Sequence, residues 1–175
     1  MCKVTKEGLK NIFYCIPVIV LAALPYIQGP REGRITYVLA SLFMALGVGF
    51  EEELYFRGYV FNVWRDKPEK TAIIATSVLF GVTHIANIMS GQNIFDTILQ
   101  IVFAFCYGIV FLLIYIIGKS LWPCILIHFF HDFSSFVCDE TNMSLEYKIA
   151  AVQTIILIIY MIMLILQYRK LQRES

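Results

Sequence analysis

Apolar residues along the chain fall into six long segments separated by short polar breaks. The breaks contain glycine, proline, asparagine or charged residues, which is the chemistry of turns. Most of the segments are long enough for a helix that crosses a bilayer, at about 1.5 Å per residue. The pattern therefore predicts an all-α, polytopic transmembrane helix bundle of about six spans. The segments are Asn11–Gln28, Ile35–Trp64, Thr71–Met89, Ile94–Ile117, Ser120–Cys138 and Tyr147–Tyr168.

Composition supports a membrane location. Of the 175 residues, 59% are hydrophobic and only 15% are charged, whereas soluble domains carry about a quarter charged residues. We expect one integral-membrane domain over residues 1–175, with a motif-bearing core at about 35–138, and the lipid bilayer as its surroundings. The net charge of +1 and the lack of a basic stripe argue against a nucleic-acid partner. The five cysteines contain no CxxC pair and are typical of buried apolar residues.

Basic residues in the breaks predict the orientation. We expect the first segment to be a retained span, because no cleavage site of the A-x-A type follows it. Ten lysines and arginines then lie on the side of the N-terminus and three on the other side, which predicts that both termini are cytoplasmic. We expect a multi-pass protein of the cell membrane, namely the plasma membrane of a bacterium. The ten are Lys3, Lys6, Lys10, Arg65, Lys67, Lys70, Lys119, Arg169, Lys170 and Arg173, and the three are Arg31, Arg34 and Lys148.

The second segment carries ionisable residues inside an apolar run. Glu51, Glu52, Glu53 and Arg57 follow one another there, although a charged side chain within a bilayer costs roughly 3 kcal/mol. Glu53 and Arg57 are spaced i,i+4, so they are expected to pair on one helix face. Glu51 is expected to face water.

All three histidines lie in predicted spans. His84 is in the third segment, and His128 and Asp132 share a face of the fifth at i,i+4. Counting from the cytoplasmic ends at about 1.5 Å per residue places Glu52, His84, His128 and Asp132 roughly 12–20 Å deep. The sequence therefore predicts one polar site near the bilayer midplane, with His131 as the rival of His128.

One glutamate and two histidines in a wet pocket suit peptide hydrolysis. The carboxylate acts as a general base on water, one histidine orients the water, and the other stabilises the oxyanion. The same residue types suit a zinc ion with an open water position, held by Glu52, His84 and His128. The sequence contains no HExxH motif, and both alternatives stay open.

Three motifs resemble those of the CAAX protease and bacteriocin-processing (CPBP, or Abi) family of intramembrane proteases. The stretch from Glu52 to Gly58 resembles its EExxxR motif, Phe80 to His84 its FxxxH motif, and His128 to Asp132 its HxxxN/D motif. The resemblance implies a membrane-embedded endopeptidase, related to the enzyme that trims prenylated CAAX proteins. The resemblance also implies a peptide or membrane-protein substrate, and a role in peptide maturation or bacteriocin self-immunity.

The resemblance also implies residue roles. Glu52 is the base, with His84 holding the water, Glu53 and Arg57 are a supporting pair, and His128 with Asp132 forms the oxyanion site. Members are often called metalloproteases, but we favour metal-free catalysis, since Glu53 suits an arginine better than a metal. The family often has asparagine where this chain has Asp132, and aspartate donates no hydrogen bond unless it is protonated. The enzyme that trims prenylated proteins has eight spans, whereas this chain is predicted to have six. The difference indicates a small bacterial member and argues against a prenylated substrate.

A different class of function fits the same buried groups. Glutamate, histidine and aspartate on several spans also describe a proton-coupled transporter, or a non-catalytic immunity or scaffold protein. Substitution of Glu52 by glutamine separates these alternatives from proteolysis.

Overall fold

The computed structural model describes residues 15–64, 66–139 and 141–174, and within these ranges the chain forms six main helices and no strand. The predicted all-α class is confirmed. The start of the first predicted segment lies outside the described residues, as do Lys3, Lys6, Lys10 and Arg65 of the orientation argument. The helices are α1 (Ile16–Ala23), α2 (Ile35–Glu53), α3 (Glu69–Thr83), α4 (Ile94–Gly118), α5 (Trp122–Val137) and α6 (Met143–Glu174).

Three of these helices continue in other helical forms. A 3₁₀ segment, Leu24–Gln28, follows α1, and another, His84–Ile88, follows α3. A π-helical segment, Leu54–Val60, follows α2 and leads into the α-helical turn Phe61–Val63. The predicted second helix therefore runs without a break from Ile35 to Val63, but it changes from α-helical to π-helical winding at the acidic motif.

Four helices are long and apolar enough to cross a membrane. They are α2 with its extension (Ile35–Val63), α3 with its extension (Glu69–Ile88), α4, and α6 (Met143–Arg173). The other two predicted segments form shorter helices: Ile16–Gln28 in the described part of the first, and the 16 residues of α5. The protein is thus a multi-pass membrane protein, whose described residues contain four candidate spans and two shorter helices, in agreement with the predicted polytopic bundle. The location of its termini stays a prediction.

Helix α4 lies at the centre of the bundle. Its residues from Tyr107 to Ile114 are all buried, and they pack with α1, α5 and α6 in one apolar core. The start of α4 is capped by Asn93, whose side chain accepts a hydrogen bond from the Asp96 N–H at 2.9 Å, and its end is marked by Lys119 in the left-handed conformation. The core includes Val18, Leu21, Leu112, Leu113, Leu157 and Leu164.

Two helix pairs approach closely at glycines, and each glycine lies near a motif. Helix α2 packs on α5, where a Cβ added to Gly49 would lie 3.0 Å from the backbone nitrogen of Phe129. Helix α3 packs on α4, where a Cβ on Gly81 would lie 2.9 Å from the carbonyl oxygen of Ile101. Small residues allow such backbone contacts between membrane helices, and here they bring the polar positions of α2 and α5 together.

A short antiparallel bridge connects the α1–α2 loop to the end of α5. The Arg31 N–H donates to the carbonyl oxygen of Val137 at 2.7 Å, and the Asp139 N–H donates to that of Gly29 at 3.0 Å. At the start of α2, the Tyr37 hydroxyl donates to the carbonyl oxygen of Phe136 at 3.0 Å. These bonds fix the end of α5 against the start of α2.

Candidate active site

The acidic motif lies where α2 changes from α-helical to π-helical winding. Glu53 is the last α-helical residue, and Arg57 lies in the π segment. Both side chains are completely buried, with 0% of each residue exposed. Short π segments are rare and are often found at functional sites. Here Glu53, which precedes the π segment, and Arg57, which lies in it, are both buried in the protein interior.

Glu53 and Arg57 form a buried ion pair. The Oε1 atom of Glu53 lies 3.1 Å from Nη1 of Arg57, as their i,i+4 spacing predicted. The contact lacks hydrogen-bond geometry, and the guanidinium nitrogens have no hydrogen-bond partner among the described residues. The guanidinium carbon instead lies 4.4 Å from the ring centre of Phe80 and 5.3 Å from that of Phe111. The charge of Arg57 is thus stabilised by one carboxylate and two aromatic faces.

His128 joins the ion pair to the other carboxylates. Its Nδ1 lies 2.8 Å from Glu53 Oε1, and Nδ1 is the donor because an ionised carboxylate only accepts. Its Nε2 lies 3.7 Å from Glu52 Oε2 and 3.6 Å from Asp132 Oδ2. One imidazole therefore contacts three carboxylates from two helices. We call Glu52, Glu53, Arg57, His128 and Asp132 the carboxylate–histidine cluster.

The two adjacent glutamates differ in their access to water. The Glu53 side chain is fully buried, whereas 32% of the Glu52 side chain is exposed. Only Glu52 can meet a water molecule and a substrate without a rearrangement. The structure thus separates a structural carboxylate from a reachable one, although the two follow each other in sequence.

His84 lies where α3 tightens into its 3₁₀ extension. The tightening leaves the Phe80 carbonyl oxygen to accept hydrogen bonds from His84 Nδ1 at 3.0 Å and from the Thr83 hydroxyl at 2.7 Å. Because Nδ1 donates, Nε2 of a neutral ring is left as an acceptor. The structure therefore brings five predicted site residues into direct contact. His84 lies beside them across the ring of Phe80, whose centre is 5.4 Å from that of His84 and 6.1 Å from that of His128.

The rival residues have other surroundings. His131 Nδ1 lies 3.6 Å from Asp132 Oδ1, and its ring stacks on Phe103 at 5.7 Å between centres. Glu51 is exposed on the surface of the bundle, and that it faces water stays a prediction. Glu53 contacts His128 rather than His131, which places His128 at the centre of the cluster.

The sequence did not reveal three further features of the site. These are the contact between His128 and Glu53, the aromatic faces of Phe80 and Phe111 on Arg57, and the buried Tyr107 beside His128, with ring centres 6.4 Å apart. Phe111 and Tyr107 belong to a strongly apolar span, where they look like ordinary core residues. Only Phe80 carried a signal, because it precedes His84 by one helical turn.

Within the described residues, no group of three or more histidine, cysteine, aspartate or glutamate side chains is arranged to hold a metal ion. The zinc alternative, with Glu52, His84 and His128 as ligands, therefore has no preassembled ligand set there. It stays a prediction.

A family model supports the motif analysis. The model described as "Type II CAAX prenyl endopeptidase Rce1-like" matches residues 34–134. This interval contains α2, α3, α4 and most of α5, and with them all six predicted site residues. Neither a curated protein nor a solved structure matches the chain.

Proposed function

The chain belongs to the type II CAAX prenyl endopeptidase Rce1-like family, and from this membership we propose that it is an intramembrane endopeptidase that uses a water molecule activated by Glu52. At the level of the family it is a CAAX-type membrane protease. The proposal adds the mechanism, the residue roles and the substrate class.

One observation carries the mechanism: the partly exposed carboxylate of Glu52 lies 3.7 Å from Nε2 of His128. A base must reach water, and an oxyanion must meet a donor near the attacked carbonyl. Glu52 and His128 supply these two functions side by side. The buried Glu53 supplies neither, but it holds the His128 ring by its hydrogen bond to Nδ1.

The charges of the cluster suit a protonated His128. Glu52, Glu53 and Asp132 carry three negative charges, and Arg57 carries one positive charge. A cationic His128 leaves a net charge of one negative unit, which disappears when Glu52 takes a proton. With Nδ1–H bound to Glu53, Nε2–H is then the donor for the oxyanion. Asp132, on the same side of the ring, orients this donor.

The reaction proceeds in two steps. Glu52 removes a proton from water, and the hydroxide oxygen bonds to the peptide carbonyl carbon, whose oxygen becomes the oxyanion at His128. The tetrahedral intermediate then breaks its C–N bond, and the amine leaves with the proton carried by Glu52. His84 holds the water through Nε2, which its hydrogen bond to Phe80 leaves free to accept.

The substrate we propose is a peptide or a membrane-protein segment that enters from the bilayer. Peptide maturation or bacteriocin self-immunity at a bacterial plasma membrane is the biological setting we favour, without a requirement for a prenyl group. Catalysis without metal is part of the proposal. Elemental analysis of purified active protein, together with activity after chelation, tests the zinc alternative.

Glu52→Gln tests the mechanism, because glutamine keeps the shape of glutamate but cannot take the proton. We expect cleavage to fall by about 1,000-fold, which lies within the usual contribution of general acid–base catalysis. The probe is a fluorescence-quenched peptide ending in a CAAX sequence, with and without a farnesyl group, and the protein is the full chain in nanodiscs. Glu51→Gln is the matched control. Glu51 is the residue next to Glu52 and its side chain is exposed, so this variant is expected to cleave like wild type.

Equal cleavage by Glu52→Gln and wild type would overturn the mechanism. A second outcome is that the wild-type chain cleaves neither the two probes nor a membrane-peptide library. If Glu52→Gln then still gives cells the phenotype of the wild-type gene, such as bacteriocin immunity, a non-catalytic scaffold replaces the protease proposal. If Glu52→Gln loses that phenotype without any cleavage by wild type, proton-coupled transport takes its place.

A further inference from the structure

Tyr107 lies directly behind the carboxylate–histidine cluster, on the central helix α4. Only 3% of this residue is exposed. Its ring centre is 5.5 Å from that of His131, 6.4 Å from that of His128 and 4.2 Å from that of Phe111. Tyr107 therefore contacts both the histidines of α5 and a ring that covers Arg57.

The hydroxyl of Tyr107 has no hydrogen-bond partner among the described residues, although it is inaccessible to solvent. Buried tyrosine hydroxyls are nearly always hydrogen-bonded, because an unpaired donor in a low-dielectric interior is unfavourable. The neighbouring ring of His128, 6.4 Å away between centres, is itself hydrogen-bonded to Glu53. A buried donor without an acceptor thus packs on the histidine that Glu53 holds.

Glu53 offers the complementary group. Its Oε1 atom contacts both Arg57 and His128, while its Oε2 atom is buried and has no hydrogen-bond partner among the described residues. A buried donor and a buried acceptor that both lack partners are satisfied together by one hydrogen bond, or by one ordered water between them.

We propose that Tyr107 is a positioning residue whose hydroxyl donates to Oε2 of Glu53, directly or through one buried water. The bond fixes the rotation of the Glu53 carboxylate and thereby the imidazole that Oε1 holds. Tyr107 touches neither water nor substrate in this role. The effect on cleavage rests on the proposed protease function, but the link from Tyr107 through Glu53 to His128 does not.

The first test measures that link without any substrate. The protein is labelled with ¹⁵N-histidine in detergent micelles, and its three histidines are assigned with His84→Gln and His131→Gln. Tyr107→Phe keeps the aromatic ring and removes only the hydroxyl, so we expect the ring nitrogens of His128 to change their shifts while those of His84 do not. Tyr115→Phe, two turns further along α4 and packed on Phe61, is the matched control and should leave all three histidines unchanged. Unchanged His128 shifts in Tyr107→Phe would overturn the proposal.

The second test measures cleavage of the quenched CAAX peptides. Tyr107→Phe is expected to lower kcat about tenfold with little change in KM, because a small misplacement of a reacting group slows catalysis without weakening substrate binding. In a double-mutant cycle, Glu53→Gln with Tyr107→Phe should be no slower than Glu53→Gln alone, since the hydroxyl acts through that carboxylate. Additive losses would contradict the proposed route through Glu53.

The outcomes separate this proposal from the protease function. If Glu52→Gln is inactive while Tyr107→Phe cleaves like wild type and leaves His128 unchanged, the role of Tyr107 is wrong and the protease proposal stands. If the wild-type chain cleaves nothing but Tyr107→Phe shifts His128, the positioning contact is correct and the protease proposal fails.

Discussion

The carboxylate–histidine cluster and the apolar core around α4 are held together by different forces. In the core, leucine and valine side chains exchange lipid contacts for protein contacts, which favours assembly only through closer packing. In the cluster, ions from α2 and α5 have no alternative partner in hydrocarbon, so separation of the helices leaves them unpaired at a large cost. The comparison teaches that the groups assigned to catalysis also hold α2 and α5 together. Core residues, in contrast, are expected to affect stability alone.

Removal of Arg57 is expected to give the largest effect on stability. Arg57→Met leaves Glu53 buried without its counter-ion, which costs about 3–5 kcal/mol and should abolish activity. Thermal unfolding in detergent, read by tryptophan fluorescence, measures the stability, and the quenched peptide measures activity. The double variant Glu53→Gln, Arg57→Met removes both charges and should regain most of the stability but not the activity. A double variant no more stable than Arg57→Met would contradict the ion-pair explanation.

A cavity in the apolar core is expected to have a smaller and purely structural effect. Leu113 is almost fully buried, so Leu113→Ala should cost about 2 kcal/mol, toward the low end for leucine truncations. Cleavage per folded molecule should stay at the wild-type level. Leu166→Ala removes the same atoms from an exposed position on α6 and should change neither quantity. Loss of kcat in folded Leu113→Ala would show that the core and the cluster are not separable.

The contact between α2 and α5 gives the smallest loss of stability but a clear loss of activity. A Cβ at Gly49 lies only 3.0 Å from the Phe129 nitrogen, whereas a Cβ at Gly47 meets nothing within 4 Å. Gly49→Ala should therefore push the helices apart by a few tenths of an ångström, at about 1 kcal/mol. We expect about a tenfold lower kcat, since this gap separates Glu52 from His128. Gly47→Ala is the control, and equal kcat values for the two variants would contradict the prediction.

Hydrophobic periodicity predicted much of the fold, because segment lengths and turn residues are local properties. All six predicted segments contain a main helix in the described residues, and the membrane location follows from composition alone. The winding of Leu54–Val60 was not predictable in this way. Its sequence shows no local pattern that separates π from α winding, and its Arg57 packs on Phe80 of α3 and Phe111 of α4, which are distant in sequence.

The candidate site was predicted in its residues but not in its connections. Spacing within one helix placed Glu53 beside Arg57 and His128 beside Asp132, as the structure has them. The spacing of residues within a helix does not tell how one helix is rotated relative to another. The contact of His128 on α5 with Glu53 on α2 was therefore missed. Tyr107 was missed for a second reason: a tyrosine among the apolar residues of a span produces no pattern that marks its hydroxyl as functional.

The bridge between the α1–α2 loop and the end of α5 holds the helix that carries His128 in one register against α2. A helix that slips by one residue moves about 1.5 Å along its axis and turns its side chains by about 100°. Such a slip would carry His128 out of line with Glu53. Because backbone hydrogen bonds hold Gly29–Arg31 against Val137–Asp139, the register of the imidazole is fixed from a loop that lies outside the catalytic motifs.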